Sequence, residues 1–300
     1  MIMKKISYVF LVLSLASFCF GGQSKTIKDA LGYSHIVNTP PQKIISLAPN
    51  LTEILFALDL GKKVVGVTRY CDYPKEALEK EKIGGLVDLN LEKIKALNPD
   101  LIIGFRGNPL RILKRLKSLQ LPVFTLEMGT SIESIYRIIH NIGVITIKGR
   151  EAEMLIHSIK KEHERVQLAL RDVSHQPKVF FILYGMGLWT GGKDSFINDI
   201  TKKAKGINIA GQIQRKWLLF NREQLIHENP EFIIIISKSQ EQFNKAKIWM
   251  KNKAYLETLR AVQADSIYFL DENLATRPGP RIIQALAQIA RILHPHCFTK

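Results

Sequence analysis

Apolar residues come in two alternating styles along this chain. Short β-branched runs occur at Lys43-Ile-Ile-Ser-Leu-Ala-Pro49, Val64 to Val67, Leu101 to Ile103 and Val123 to Leu126. They are too short for helices and suit strands buried on both faces. Between them, Leu51 to Leu60 and a stretch over about 110–119 have helical apolar spacing. Gly61 stops the first of these helices, and Thr130-x-x-Glu133 reads as a capping box that opens a further one. The alternation resumes with a strand at Lys178 to Tyr184, a Gly-rich turn over Gly185 to Gly192 and a helix from about Ser195. A loop holding Trp217, a strand at Ser266 to Leu270 and a closing helix at Arg281 to Leu293 complete it. Strands alternating with helices predict mostly parallel sheets covered on both faces.

One segment occurs twice. Asn90-Leu-Glu92-Lys-Ile-Lys-Ala-Leu-Asn98-Pro99-Asp100-Leu-Ile-Ile returns as Asn221-Arg-Glu223-Gln-Leu-Ile-His-Glu-Asn229-Pro230-Glu231-Phe-Ile-Ile, with no gap. Each copy reads as an Asn-capped short helix with Glu in its first turn, an Asn-Pro stop and a buried strand. Solenoid periods are far shorter than this spacing, so the repeat predicts two similar αβ lobes with a cleft between them.

Arg150 to Val173 differs from both lobes. It lacks Gly and Pro, is dense in Glu, Lys and Arg, and places Leu155, Ile159, Val166 and Leu170 on one helical face. That predicts one helix roughly 33 Å long at 1.5 Å per residue, acting as a rigid strut between the lobes. The expected organisation is a signal segment over 1–22, an N-terminal lobe over 23–148, a backbone helix over 149–173 and a C-terminal lobe over 174–300.

The first 22 residues change the setting. Lys4 and Lys5 precede an apolar stretch from Ile6 to Phe20, and Cys19-Phe20-Gly21 offers a cleavage site. The stretch is shorter than the roughly 20 residues a membrane span needs, so it reads as a cleavable secretory signal and predicts a periplasmic protein. Phe18 before Cys19 argues against a lipoprotein signal. The formal charge is +16, and removal of the signal leaves about +14. The lysines are spread over helix faces, and export argues against nucleic acid, so the excess reads as a solvated surface. Cys71 and Cys297 remain, and spacing does not say whether they pair.

Few residues suggest chemistry of their own. Gly185-Met-Gly187-Leu-Trp189-Thr-Gly191-Gly192 follows a strand, but its glycines are misplaced for a dinucleotide fingerprint and Trp189 would obstruct a pyrophosphate. No nucleophile elbow, H-E-x-x-H or C-x-x-C occurs. His294-Pro-His296-Cys297 has soft metal ligands but reads as a disordered polar tail. Glu92 and Glu223, in separate lobes, read as surface groups rather than an acid/base pair. The loops after strands are more coherent, because ligands of open αβ sheets bind beyond the strands' carboxyl ends. These loops carry Tyr70, Tyr73, Phe105, Arg106, Tyr184, Trp189, Trp217 and Arg277. Aromatics with a few cations suit a large, flat, partly anionic ligand.

Several motifs together resemble the periplasmic vitamin B12-binding protein family, within the ABC-transporter substrate-binding proteins. They are Ile45-Ser-Leu-Ala-Pro-Asn-Leu-Thr-Glu53, Val65-Gly-Val-Thr-Arg-Tyr70-Cys-Asp-Tyr-Pro74, Asn90-Leu-Glu-Lys-Ile94, Trp217 with Asn221-Arg-Glu-Gln224, and Arg277-Pro-Gly-Pro-Arg-Ile-Ile283. The resemblance covers nearly the whole chain after the signal. It implies a class III periplasmic binding protein of α/β class, with two Rossmann-like lobes joined by one backbone helix. It also implies a non-enzymatic role, in which a scavenged metal complex is carried to the permease and ATPase of an inner-membrane importer. By the resemblance, Tyr70, Phe105, Trp217 and Arg277 line a corrinoid cleft, while Glu92 and Glu223 dock onto permease arginines. Leu86 stands where B12-binding members tend to have Trp, and Ala204 and Ala290 stand where some carry a disulfide. Haem-binding relatives use a Tyr near Tyr70 or Tyr73 as an iron ligand.

The combined expectation is a monomeric receptor without a cofactor of its own. Its transported ligand is cobalamin, with haem and ferric siderophores as rivals. An exported αβ enzyme using Arg106, Tyr70 and Glu92 on a phosphate or glycan is the alternative from another class, and a catalytic pocket would bring at least two titratable groups together.

Overall fold

A computed structural model describes residues 25–298, so the signal segment lies outside the described residues. The N-terminal sheet has five parallel strands in the order Glu81–Lys82, Val64–Val67, Ile44–Ser46, Leu101–Phe105 and Val123–Leu126. The C-terminal sheet has four, in the order Ile207–Asn208, Lys178–Leu183, Phe232–Ser237 and Ile267–Asp271, again all parallel. The central strands carry no exposed position, as sheets covered on both faces require.

The repeated segment folds the same way in both lobes. Asn90 caps the helix Leu91–Ala96 by accepting from the Lys93 N–H, and Asn221 caps Arg222–Glu228 by accepting from the Gln224 N–H, each at 2.9 Å. Asn98 and Asn229 both turn into the left-handed region, with φ of 46° and 43°. Asn tolerates that conformation better than most residues, and the following Pro prevents a further helical turn. Each copy then delivers its strand to the same place, beside the first strand of the lobe's parallel sheet.

The strut is the helix Gly149–Ala169, which buries Ala152, Ile156, Ile159 and Val166. It stops earlier than the expected Val173, because Leu170 closes it through backbone bonds to Val166 and Leu168. Its apolar stripe belongs to a hydrophobic core that runs from Leu51 and Ile139 of the first lobe to Ile200 and Ile289 of the second. Each sheet's other face has its own separate cluster. Because the lobes share a close-packed layer, their relative motion is restricted to small hinge displacements. The Lys203 ammonium reaches the Glu133 carboxylate at 2.7 Å, and the Ile132 N–H donates to Asp199 at 3.0 Å, tying the lobes beside the strut.

Several local expectations differ from the fold. The helix Ile132–Ile145 is capped by Ser131 with Ser134 at its third position, not by Thr130 with Glu133. The Ser131 hydroxyl accepts from the Ser134 N–H at 3.2 Å, and Glu133 is drawn to Lys203 instead. The Gly-rich turn and the Trp217 loop pair as an antiparallel ribbon, Trp189–Gly191 with Trp217–Leu219. Residues 294–298 pack against the second lobe rather than trailing as a polar tail. His294 is 3% exposed and sits 3.2 Å from the Lys205 carbonyl, and a 3₁₀ turn follows at Pro295–Cys297. Among the described residues no three His, Cys, Asp or Glu side chains gather as metal ligands. Cys71 and Cys297 are both free. Cys71 lies buried 3.2 Å from the Thr52 and Thr68 hydroxyls, and burial pushes its thiol pKa up. Ala204 and Ala290 are fully buried on helices that pack together, so apolar contact fills that position.

Candidate functional site

A cleft of about 860 Å³ opens between the carboxyl ends of the two sheets. The first lobe lines it with loops after four strands, which contribute Tyr70, Leu86, Phe105 and Met128. The second lobe contributes Phe196, Trp217, Lys238 and Arg277. Phe105 is the last residue of its strand, where the pleat ends and the ring turns out of the sheet. Trp217 opens the short antiparallel ribbon opposite Gly191, a half-buried position at the cleft wall. Tyr70 is 47% exposed, so its phenol is open to the cleft.

Of the eight strand-end residues singled out in the sequence, the structure brings four to the cleft: Tyr70, Phe105, Trp217 and Arg277. Arg106, Tyr184 and Trp189 do not line it. Arg106 follows Phe105 directly, so its side chain leaves on the other side and meets Glu127 at 3.2 Å. Trp189 pairs with Leu219 at the far end of the ribbon, and Tyr184 stays half-buried where its backbone extends the central ladder to Ile236. Tyr73 also lies beside the cleft rather than in it, with the Arg281 guanidinium 3.8 Å from its ring centroid.

Arg277 is not a free cation. It reaches from the second lobe to grip both carboxylate oxygens of Asp72 in the first, and donates to the Tyr70 carbonyl at 3.2 Å. Behind it, Arg281 holds Glu53 with two hydrogen bonds of 2.9 and 2.6 Å, and Asn50 donates to the Pro278 carbonyl at 3.3 Å. The cleft's inner wall is therefore an inter-lobe polar seam. Burial pulls the Asp72 pKa up, but its hydrogen bonds and ion pair with Arg277 outweigh this and leave it below the usual carboxylate value. A depressed carboxylate stabilises the seam above the unfolded-state pKa of about 3.9, and that contribution disappears as pH falls through the lowered value. Small-angle scattering should thus report an unchanged envelope down to about pH 4 and expansion only below it. Opening that already starts well above pH 4 would contradict this.

Sequence reasoning missed Glu53, Asp72, Arg281, Lys216 and Lys238. Lys238 follows a strand in the second repeat copy, so the rule that singled out Phe105 also points to it. Lys216 reaches across the cleft to the Met128 sulfur at 2.9 Å, and Asp72 binds a residue 205 positions away, contacts that no local pattern encodes. Glu92 and Glu223 are exposed in the first turns of the two repeated helices. Neither lines the cleft, so they do not form an acid/base pair around it.

Comparison with known proteins agrees with this architecture. An uncharacterized ABC transporter substrate-binding lipoprotein of Bacillus subtilis is 32% identical over 279 residues, 91% of this chain and 86% of the relative. The vitamin B12-binding protein of Vibrio cholerae is 31% identical over 257 residues, 85% of this chain and 90% of the relative. A crystal structure of the periplasmic vitamin B12-binding protein of Vibrio cholerae matches with a TM-score of 0.75 at 27% identity, covering 88% of this chain and 100% of that one. The lobes, parallel sheets and single strut place the fold in class III of the periplasmic binding proteins. Residues 44–274 match the model of the periplasmic binding protein family, and with its two lobes, single strut and inter-lobe cleft the chain belongs to that family.

Proposed function

We propose that this chain is the periplasmic, non-enzymatic receptor of an ABC importer, and that a corrinoid such as cobalamin is its ligand. The observation that carries this reading is the cleft itself. Tyr70 and Phe105 from one lobe face Trp217 and Phe196 from the other, across a space that suits a flat macrocycle. Kinship with B12-binding relatives favours cobalt over other chelates. Haem is the second reading, favoured by the exposed Tyr70 phenol in the cleft and by Leu86 at a wall position. The ligand enters between the lobes, the strut permits a small closure, and the closed receptor presents Glu92 and Glu223 to the permease. The receptor acts as a monomer without nucleic acid, and export through the N-terminal signal places it in the periplasm.

Quenching of the tryptophan fluorescence on titration with cyanocobalamin, haemin and a ferric siderophore discriminates the ligands. Saturable quenching by cyanocobalamin at the lowest concentration is the expected result, and tightest binding of haemin would install the second reading. Response to none of the three would remove the metal-chelate assignment. Trp217→Ala and Tyr70→Ala are each expected to weaken binding by about 2 kcal/mol, roughly 30-fold, as for buried aromatic anchors. Calorimetry on the folded variants checks this, and unchanged affinity in both would place the ligand elsewhere.

A further inference from the structure

The outer side of the first lobe carries a charged surface that ligand capture does not use. The helix Leu110–Ser118 buries Ile112, Leu113 and Leu116, which leaves Arg111, Lys114, Arg115 and Ser118 together on its opposite face. Among the described residues, none of these three cations has a carboxylate at ion-pair distance. The nearby acids are already engaged. Asp88 is bound by Arg69 at 2.6 Å, which holds its carboxyl below the usual range. Asp29 is buried, and it accepts from the Leu31 and Tyr33 N–H groups at 2.9 Å each and meets His35 at 3.3 Å. Lys117 is occupied too, stacked 3.1 Å from the Tyr33 ring centroid.

The cations form a ridge between two shallow depressions of about 660 and 720 Å³. Leu89, Leu91 and Val87 line the first, with Val87 65% exposed, and Leu121, Pro122 and Tyr33 line the second. Leu110, at the ridge's end, is 49% exposed. Long unpaired cations on open, shallow ground, with the exposed Val87 and Leu110 side chains beside them, match an anionic bilayer surface. The charges meet headgroup phosphates while the apolar tips enter the acyl boundary. Leu91 starts the helix that carries Glu92, so the ridge adjoins the carboxylate proposed to dock on the permease.

We infer that the Arg111–Lys114–Arg115 face is a docking surface for anionic phospholipid headgroups. It holds the receptor against the membrane in which its importer sits and confines its search for the permease to that surface. The whole folded protein is tested by co-sedimentation with vesicles of phosphatidylcholine alone or mixed with phosphatidylglycerol. Binding is expected only to the mixed vesicles and should weaken as salt rises. Arg111→Gln, Lys114→Gln and Arg115→Gln combined should lower that binding on the order of 100-fold, from three surface cations acting together. Lys160→Gln, Lys161→Gln and Arg165→Gln on the strut remove the same charge and should leave it unchanged. An equal loss in both variants would show that only total charge matters, and no loss in the first would place the contact elsewhere. Either result, or equal binding to phosphatidylcholine alone, overturns the assignment. Matching thermal unfolding of the three proteins separates these outcomes from misfolding.

Discussion

Arg281→Met is expected to destabilise the protein by about 3–5 kcal/mol, the loss seen when one partner of a buried ion pair is removed. The Glu53 side chain is 2% exposed on the helix Pro49–Ala57, and Arg281 supplies both of its short hydrogen bonds. Without that guanidinium, only the Arg277 group at 3.7 Å remains near it, and Arg277 is already committed to Asp72. A carboxylate kept from water with inadequate partners must take up a proton or unfold the surrounding structure. Because Glu53 and Arg281 belong to different lobes, the damage extends beyond one helix to the seam that closes the cleft. Urea denaturation measures the loss, with Arg291→Met on the same closing helix as an exposed control expected to stay within about 0.5 kcal/mol. Glu53→Gln combined with Arg281→Met should recover part of the stability, since no uncompensated buried charge is left. A loss below about 1 kcal/mol in the single variant would mean that water reaches Glu53 and that the seam does not hold the lobes.

Charge reversal at both Glu92 and Glu223 is expected to reduce uptake of the ligand by more than about 100-fold while leaving its affinity for the isolated receptor unchanged. Both carboxylates are exposed, both start helices of the same length class in equivalent positions, and neither lines the cleft. A carboxylate at an interface that loses its cationic partner costs about 2–5 kcal/mol, and reversal adds repulsion. Two such sites on one rigid body act together, so either single reversal should show a smaller loss. Uptake by whole cells and calorimetric titration of the purified receptor separate transport from capture. Normal uptake by the double variant would reject the docking role, and weakened affinity would mean that these helices feel the cleft.

The two repeated helices were legible because their signals are local. An Asn cap, an Asn-Pro stop and a β-branched run act within a few residues, and both copies folded accordingly. The strut was legible for a similar reason, since an uninterrupted helical stripe needs no knowledge of its partner. Phe105 and Trp217 line the cleft, as the rule that the site of an open αβ sheet lies beyond its strand ends anticipates. That rule gives the neighbourhood of a residue and not the direction of its side chain, which is why Arg106, Trp189 and Tyr184 were assigned to a cleft they do not line. A single-residue step along a strand end reverses which face a side chain serves. The packing of His294 escaped for another reason, because it depends on a carbonyl that arrives from Lys205.

By itself the sequence determined two αβ lobes, their linking helix and the surface glutamate at the start of each repeated helix, because each rests on short-range periodicity, capping or repetition. The tertiary structure alone decided what Arg277 does. Only when the second lobe folds back against the first does Arg277 meet Asp72, and Arg281 meet Glu53, 228 residues away. Charged groups so distant in sequence find one another through the shared core that fixes the lobes' orientation, and no local signal in either segment encodes that encounter.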